Sequence, residues 1–168
     1  MAIAPSKAQI RLARLVVALS VAAVISGVVM YGVSGEVLAR IWQNMFDRPS
    51  GPFGFRFVLQ PVMATMAALR DGIGDARTGR APLLRTVLTD PEQRRGRLDE
   101  ALIATARIIL LGLAMDAAYQ FIEFETIHPA EAVIIALLLA FLPYVVLRGL
   151  VTRIARHWVG SPSAGGSQ

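Results

Sequence analysis

The chain has no cysteine, only two histidines and a single lysine. Without cysteine there is no disulfide, no thiolate metal site and no thiol chemistry. The histidines, His128 and His157, are the only imidazoles, and no Ser-His-Asp set or phosphate-cradling glycine loop accompanies them. Strand-like alternation of apolar and polar residues is also missing. What remains is a chain of 168 residues, enough for one domain, with 55% hydrophobic residues gathered into blocks. The formal charge of +5 is carried almost wholly by arginine. These arginines flank the apolar blocks, so they read as topology signals and not as a nucleic-acid surface. Membrane lipids are the expected surroundings, and no cofactor or metal is expected.

The first block, Leu15 to Val33, carries no charge and is about long enough to span the roughly 30 Å apolar layer. Its core is too long for a cleaved signal peptide and no A-x-A site follows it, which favours a retained anchor. Two further blocks are clear: residues 101–122 and residues 132–150. A fourth candidate, residues 53–69, is short and holds Arg56, Gln60 and Pro61. Parity decides for it. If it crosses, Lys7, Arg11 and Arg14, the arginines between residues 70 and 107, and Arg148, Arg153 and Arg156 share one side, leaving only Arg40, Arg48 and Arg56 opposite. Positive charge collects in the cytoplasm. The expectation is an all-α membrane protein of four spans in the bacterial inner membrane, both termini cytoplasmic. One helical domain covers residues 1–160, with a cytoplasmic segment over 70–100 and a disordered polar tail over 161–168. Arg56 would sit at the outer end of its span and snorkel to the head groups.

Between the first two spans, EVLARIWQNMFDR places Leu38, Ile41, Trp42, Met45 and Phe46 on one helical face. That pattern suits a short periplasmic helix lying in the interface. RPSGPFG after it reads as a turn. Asp90 or Thr89 before Pro91 reads as a helix start, so the third span begins near Pro91. Ala132, Ala136 and Ala140, and likewise Ala18, Ala22 and Ser26, form small-residue ladders suited to internal packing or to docking another subunit. Pro143 should bend the last span and free the carbonyl of Leu139.

The stretch DGIGDARTGR resembles the start of the D-G-x-x-A-R pattern of CDP-alcohol phosphotransferases, whose carboxylates bind divalent metals. Here three residues, not two, separate Gly72 from Ala76, and the later pair of aspartates spaced by three is missing. The extra residue turns Arg77 by about 100°. The stretch therefore reads as a charged helix end, with Asp71 and Asp75 paired locally to Arg70 and Arg77.

One polar stripe stands out. Asp116, Tyr119, Gln120 and Glu123 are spaced i, i+3, i+4, i+7, and Thr105 and Gly112 extend the same face. A carboxylate facing lipid costs on the order of 2–3 kcal/mol or more, so this face must meet protein or water. Asp116 lies about 9 Å from the outer end of its span, at the expected depth of Arg56 and Gln60, which should contact it. Two functions fit such a cluster: a satisfied packing group in a non-enzymatic accessory or assembly subunit, or a protonation or ion site in a small oligomeric carrier centred on Asp116. Glu123, Glu125, His128 and Glu131 crowd the outer loop and read as an ordinary acidic turn. A catalytic residue is not expected, and the partners would be other membrane subunits or further copies of the chain.

RFVLQPVMATMAALRDGIGDARTGRAP, DAAYQ and HPAEAVIIALLLAFLPYVVLRGLVTRIAR together resemble an uncharacterised family of small bacterial inner-membrane proteins. The likeness covers residues 53–156. It implies a bacterial inner-membrane protein and no particular reaction.

Overall fold

The computed structural model describes residues 5–47, 54–123 and 127–159. Most of the proline- and glycine-rich turn, the centre of the acidic loop, the tail and the side chain of Glu123 lie outside the described residues. The described residues are helical, with no strand among them.

Helix α1, Lys7–Tyr31, starts eight residues before the apolar block because a capping box opens it. The Ser6 hydroxyl accepts from the Gln9 N–H at 3.2 Å, and the Gln9 side chain accepts from the Ser6 N–H at 2.8 Å. It ends at Gly32, whose φ of 69° suits a residue without Cβ. Helix α2 is Gly35–Asp47 and α3 is Arg56–Arg77. The short α4, Leu83–Thr89, precedes α5, Pro91–Glu123. Asp90 starts α5 by accepting from the N–H groups of Glu92 and Gln93, each at 3.1 Å. With 33 residues, α5 is about 50 Å long. Helix α6, Pro129–Ala136, runs into a π turn, Leu137–Phe141, and then α7, Leu142–Val159. The irregularity falls just before Pro143, whose missing N–H cannot close an ordinary turn.

Among the described residues, three helical stretches are long and apolar enough to cross a membrane: Lys7–Tyr31, Pro91–Ile122 and Pro129–Trp158. Helix α3 is not among them, yet its surface is instructive. Its buried residues are Arg56, Gln60, Ala64, Ala68, Gly72, Asp75 and Ala76. No large apolar side chain is included. Most of its large apolar residues point outward instead, with Val58 67% and Met66 65% exposed, and Leu59, Val62, Leu69 and Ile73 also exposed. Polar and tiny groups lie inside and greasy ones outside, the reverse of a helix packed in water.

Small residues explain how the bundle closes. Ala64, Ala68, Gly72 and Ala76 recur every fourth residue on α3, and α7 packs along them. A Cβ on Gly72 would meet the Val151 side chain at 2.8 Å and the Arg148 carbonyl at 3.0 Å. The two backbones therefore approach as close as a glycine allows. Ala132, Ala136 and Ala140 are likewise buried. Helix α1 leaves open the second of the two uses of its small residues. It packs on α5 and α6 through Ala13, Val16 and Gly27, and its ladder of Ala18, Ala22 and Ser26 faces outward.

Candidate functional site

Two polar knots pin the bundle. The first lies at the start of α3. Arg56 is 1% exposed, and its Nη2 donates to Asp116 Oδ1 at 2.5 Å. Burial overturns the snorkelling expected for Arg56: a carboxylate inside the bundle offers a charged partner that the interface does not. The guanidinium also lies over the rings of Phe57 and Tyr119, at 5.3 and 5.5 Å. Asp116 accepts a second hydrogen bond from Gln120 Nε2. Gln120 in turn donates to the His128 carbonyl and accepts from the His128 N–H. A side chain one turn beyond the aspartate thus ties the end of α5 to the start of α6.

The structure brings Arg56, Gln60, Asp116, Tyr119 and Gln120 into one buried group. Gln60 is held differently from the others. It packs beside Gly112, where an added Cβ would lie 2.8 Å from its Nε2. Neither atom of its amide has a hydrogen-bond partner, and Arg56 Nη1 also lacks one. Thr105 is buried on the same face of α5, its hydroxyl bonded back to the Ala101 carbonyl at 2.8 Å.

The second knot lies at the other end of α3 and corrects the local pairing expected for Asp71 and Asp75. Asp75 is gripped by two arginines from different helices. Arg97 of α5 donates to both its oxygens at 3.2 and 2.9 Å, and Arg148 of α7 does so at 2.8 and 3.0 Å. Both are forked pairs of the strong kind. Glu100 accepts from Arg80 at 2.6 Å, from Arg97 at 3.0 Å and from Arg148 at 3.2 Å. Arg148 also donates to the Tyr144 hydroxyl at 2.9 Å, which donates to Asp71 at 2.6 Å. Arg97 closes the set on the Ala81 carbonyl at 3.0 Å. Three arginines thus balance three carboxylates. Burial by itself would raise the Asp75 carboxyl, but the hydrogen bonds and charges of Arg97 and Arg148 outweigh it and hold the group below the usual carboxylate range.

Arg97, Arg148 and Tyr144 did not stand out in the sequence. Their helices are legible, but which carboxylate each faces depends on how α3, α5 and α7 are rotated against one another. The one available signal is that Asp71, Asp75 and Glu100 all lie beside apolar runs and so need partners.

A cavity of about 790 Å³ adjoins this knot. The first turns of α1, the last turns of α3 and the stretch of α5 from Glu100 to Arg107 line it. A second, apolar cavity of about 200 Å³ lies between α1, α2 and the start of α6. Neither is lined by Asp116. No family model, no curated protein and no solved structure matches this chain. The resemblance to a bacterial inner-membrane family therefore rests on the three sequence stretches alone.

Proposed function

We propose that the chain is a four-crossing protein of the bacterial cytoplasmic membrane, with both termini in the cytoplasm. In this reading it has no catalysis of its own and serves as an accessory or assembly subunit beside other membrane proteins. It forms a single helical domain. The fourth crossing is α3. Average hydropathy understates it because every polar residue it buries is turned toward protein, while its outward face of Val58, Val62, Met66 and Leu69 suits lipid. The crossing ends near Leu69, and the last turns of α3, residues 70–77, extend beyond the apolar layer. Helix α2, with Leu38 and Trp42 exposed, lies in the outer interface.

The observation that carries the accessory role is the uncovered ladder of Ala18, Ala22 and Ser26 on α1. Small residues let a neighbouring helix approach closely, and no helix among the described residues covers them. The absence of cysteine makes the test clean. Single cysteines at Ser6 and Thr78 should react with an impermeant thiol probe from one side, and one at Gly35 from the other. Opposite sidedness of Ser6 and Thr78 removes the fourth crossing. A cysteine at Ala22 should crosslink to a neighbouring subunit in native membranes, and mild detergent should retain that subunit. Migration as a lone monomer that never crosslinks defeats the accessory role.

A second reading, an ion- or proton-coupled carrier centred on Asp116, draws on the unpartnered amide of Gln60 and the free Nη1 of Arg56. Buried polar atoms left unsatisfied invite a water or ion. In reconstituted vesicles Asp116→Asn then abolishes flux. Flux equal to the wild type eliminates the carrier.

A further inference from the structure

The cavity at the inner end of the bundle has more positive charge than the knot beside it needs. Five arginines line it against three carboxylates. Two of those arginines, Arg80 and Arg148, are engaged with Asp75 and Glu100. The other three are Arg70, Arg77 and Arg107. All three are exposed, and they make no ion pair or hydrogen bond with the described residues. Each carboxylate of the cavity is already held: Asp71 by Tyr144, and Asp75 and Glu100 by arginines. These three arginines therefore line a space whose acids are all held by other groups.

Their positions are unusual for arginines that merely mark a membrane boundary. Arg107 lies two turns inside the apolar part of α5, about 9 Å past Ala101. Arg70 and Arg77 are seven residues apart on one face of α3, with Gly74 between them. A Cβ on Gly74 would meet nothing within 4 Å, so the wall there is bare backbone and the space stays open. Leu12 of α1 and Ile103 of α5 supply an apolar wall beside the charges. Guanidinium groups offer forked donors to phosphate oxygens, and basic pockets between membrane helices suit anionic head groups.

We propose that this cavity binds the phosphoryl head group of an anionic phospholipid. Arg70, Arg77 and Arg107 take the phosphate oxygens, and Leu12 and Ile103 flank the first carbons of the lipid. The site goes beyond the accessory role and does not depend on the sidedness of the termini.

The test uses the full chain in mild detergent, with phosphatidylglycerol, phosphatidylcholine and inorganic phosphate as separate titrants and the unfolding midpoint as readout. Phosphatidylglycerol should raise the midpoint saturably, and the other two should not. Arg70→Gln with Arg107→Gln should weaken the half-saturating concentration by roughly tenfold to thirtyfold, at about tenfold per 1.4 kcal/mol and about 1 kcal/mol per arginine. Gly74→Leu should fill the opening and abolish saturation; native mass spectrometry of the same variant should show no retained lipid. Arg11→Gln with Arg14→Gln removes equal charge outside the cavity and should leave saturation intact. A full response to inorganic phosphate reassigns the site to a free anion and overturns the lipid proposal. Saturation unchanged in the Arg70 and Arg107 variant, or no saturation with any titrant, overturns the site itself.

Discussion

Asp116 shows what one buried charge demands of its neighbours. Removing its partner leaves a carboxylate inside the bundle, and such a break typically costs about 3–5 kcal/mol. Arg56→Ala should therefore lower the unfolding midpoint in detergent sharply. The paired change Arg56→Met with Asp116→Leu should recover most of that loss, because similar volumes are kept and no charge is stranded. Asp75 behaves differently because its effect depends on pH. Its folded carboxyl lies below the ordinary value of 3.8, so its two arginines stabilise the fold fully above that value. The contribution is lost as pH falls through the lower folded value. The stability gap between wild type and Asp75→Asn should stay constant from neutrality down to about the unfolded value and close below it; chemical or thermal unfolding across an acid series measures this. Arg56 and Asp116 are legible as partners in the sequence because two charges at one depth of an apolar bundle have few alternatives. The ties of Asp75 are not legible, because they join residues 22 and 73 positions apart through helix rotations that no spacing rule encodes.

At the scale of the helix, α3 is where sequence and structure diverge most. The starts of α1 and α5 can be read directly from Ser6 with Gln9 and from Asp90 with Pro91. Helix α3 has no such marker, and its mean hydropathy is diluted by the groups it hides. Period supplies the better signal: polar or tiny residues return every fourth position from Arg56 to Ala76. That period also locates the tightest seam. Gly72→Leu must wedge α3 from α7, since even its first carbon would meet Val151 at 2.8 Å. Overpacking of this kind costs about 1–3 kcal/mol, whereas Gly74→Leu, with no neighbour within 4 Å, should leave the melting midpoint close to that of the wild type. The outward turn of Ala18, Ala22 and Ser26 was equally beyond periodicity, because α1 carries small residues on more than one face.

Across the molecule, the two knots sit at opposite ends of α3, about 28 Å apart along its axis for the 19 residues between Arg56 and Asp75. In lipid the hydrophobic effect does little to hold one helix to another. Close packing of small side chains and charged rivets at both ends take over that task. Because the central groups of both rivets, Arg56 with Asp116 and Asp75 with Arg97 and Arg148, are buried, added salt screens them weakly. Raising ionic strength to about 1 M should move the unfolding midpoint in detergent by no more than about 3 °C, and a larger fall would show that exposed charges carry the stability instead.

The π turn at Leu137–Phe141 sets the phase between those ends. Ala132, Ala136 and Ala140 before or within it, and Tyr144, Arg148 and Thr152 after it, are all buried at a strict spacing of four. In an unbroken α-helix each such step drifts by about 40°, a drift that α3 accommodates over its own buried row from Arg56 to Ala76. The widened turn takes up one residue's worth of that drift. Deleting Leu138 would restore a regular helix and swing Arg148 about 100° away from Asp75, so this local defect acts as the gear that keeps both polar ends meshed.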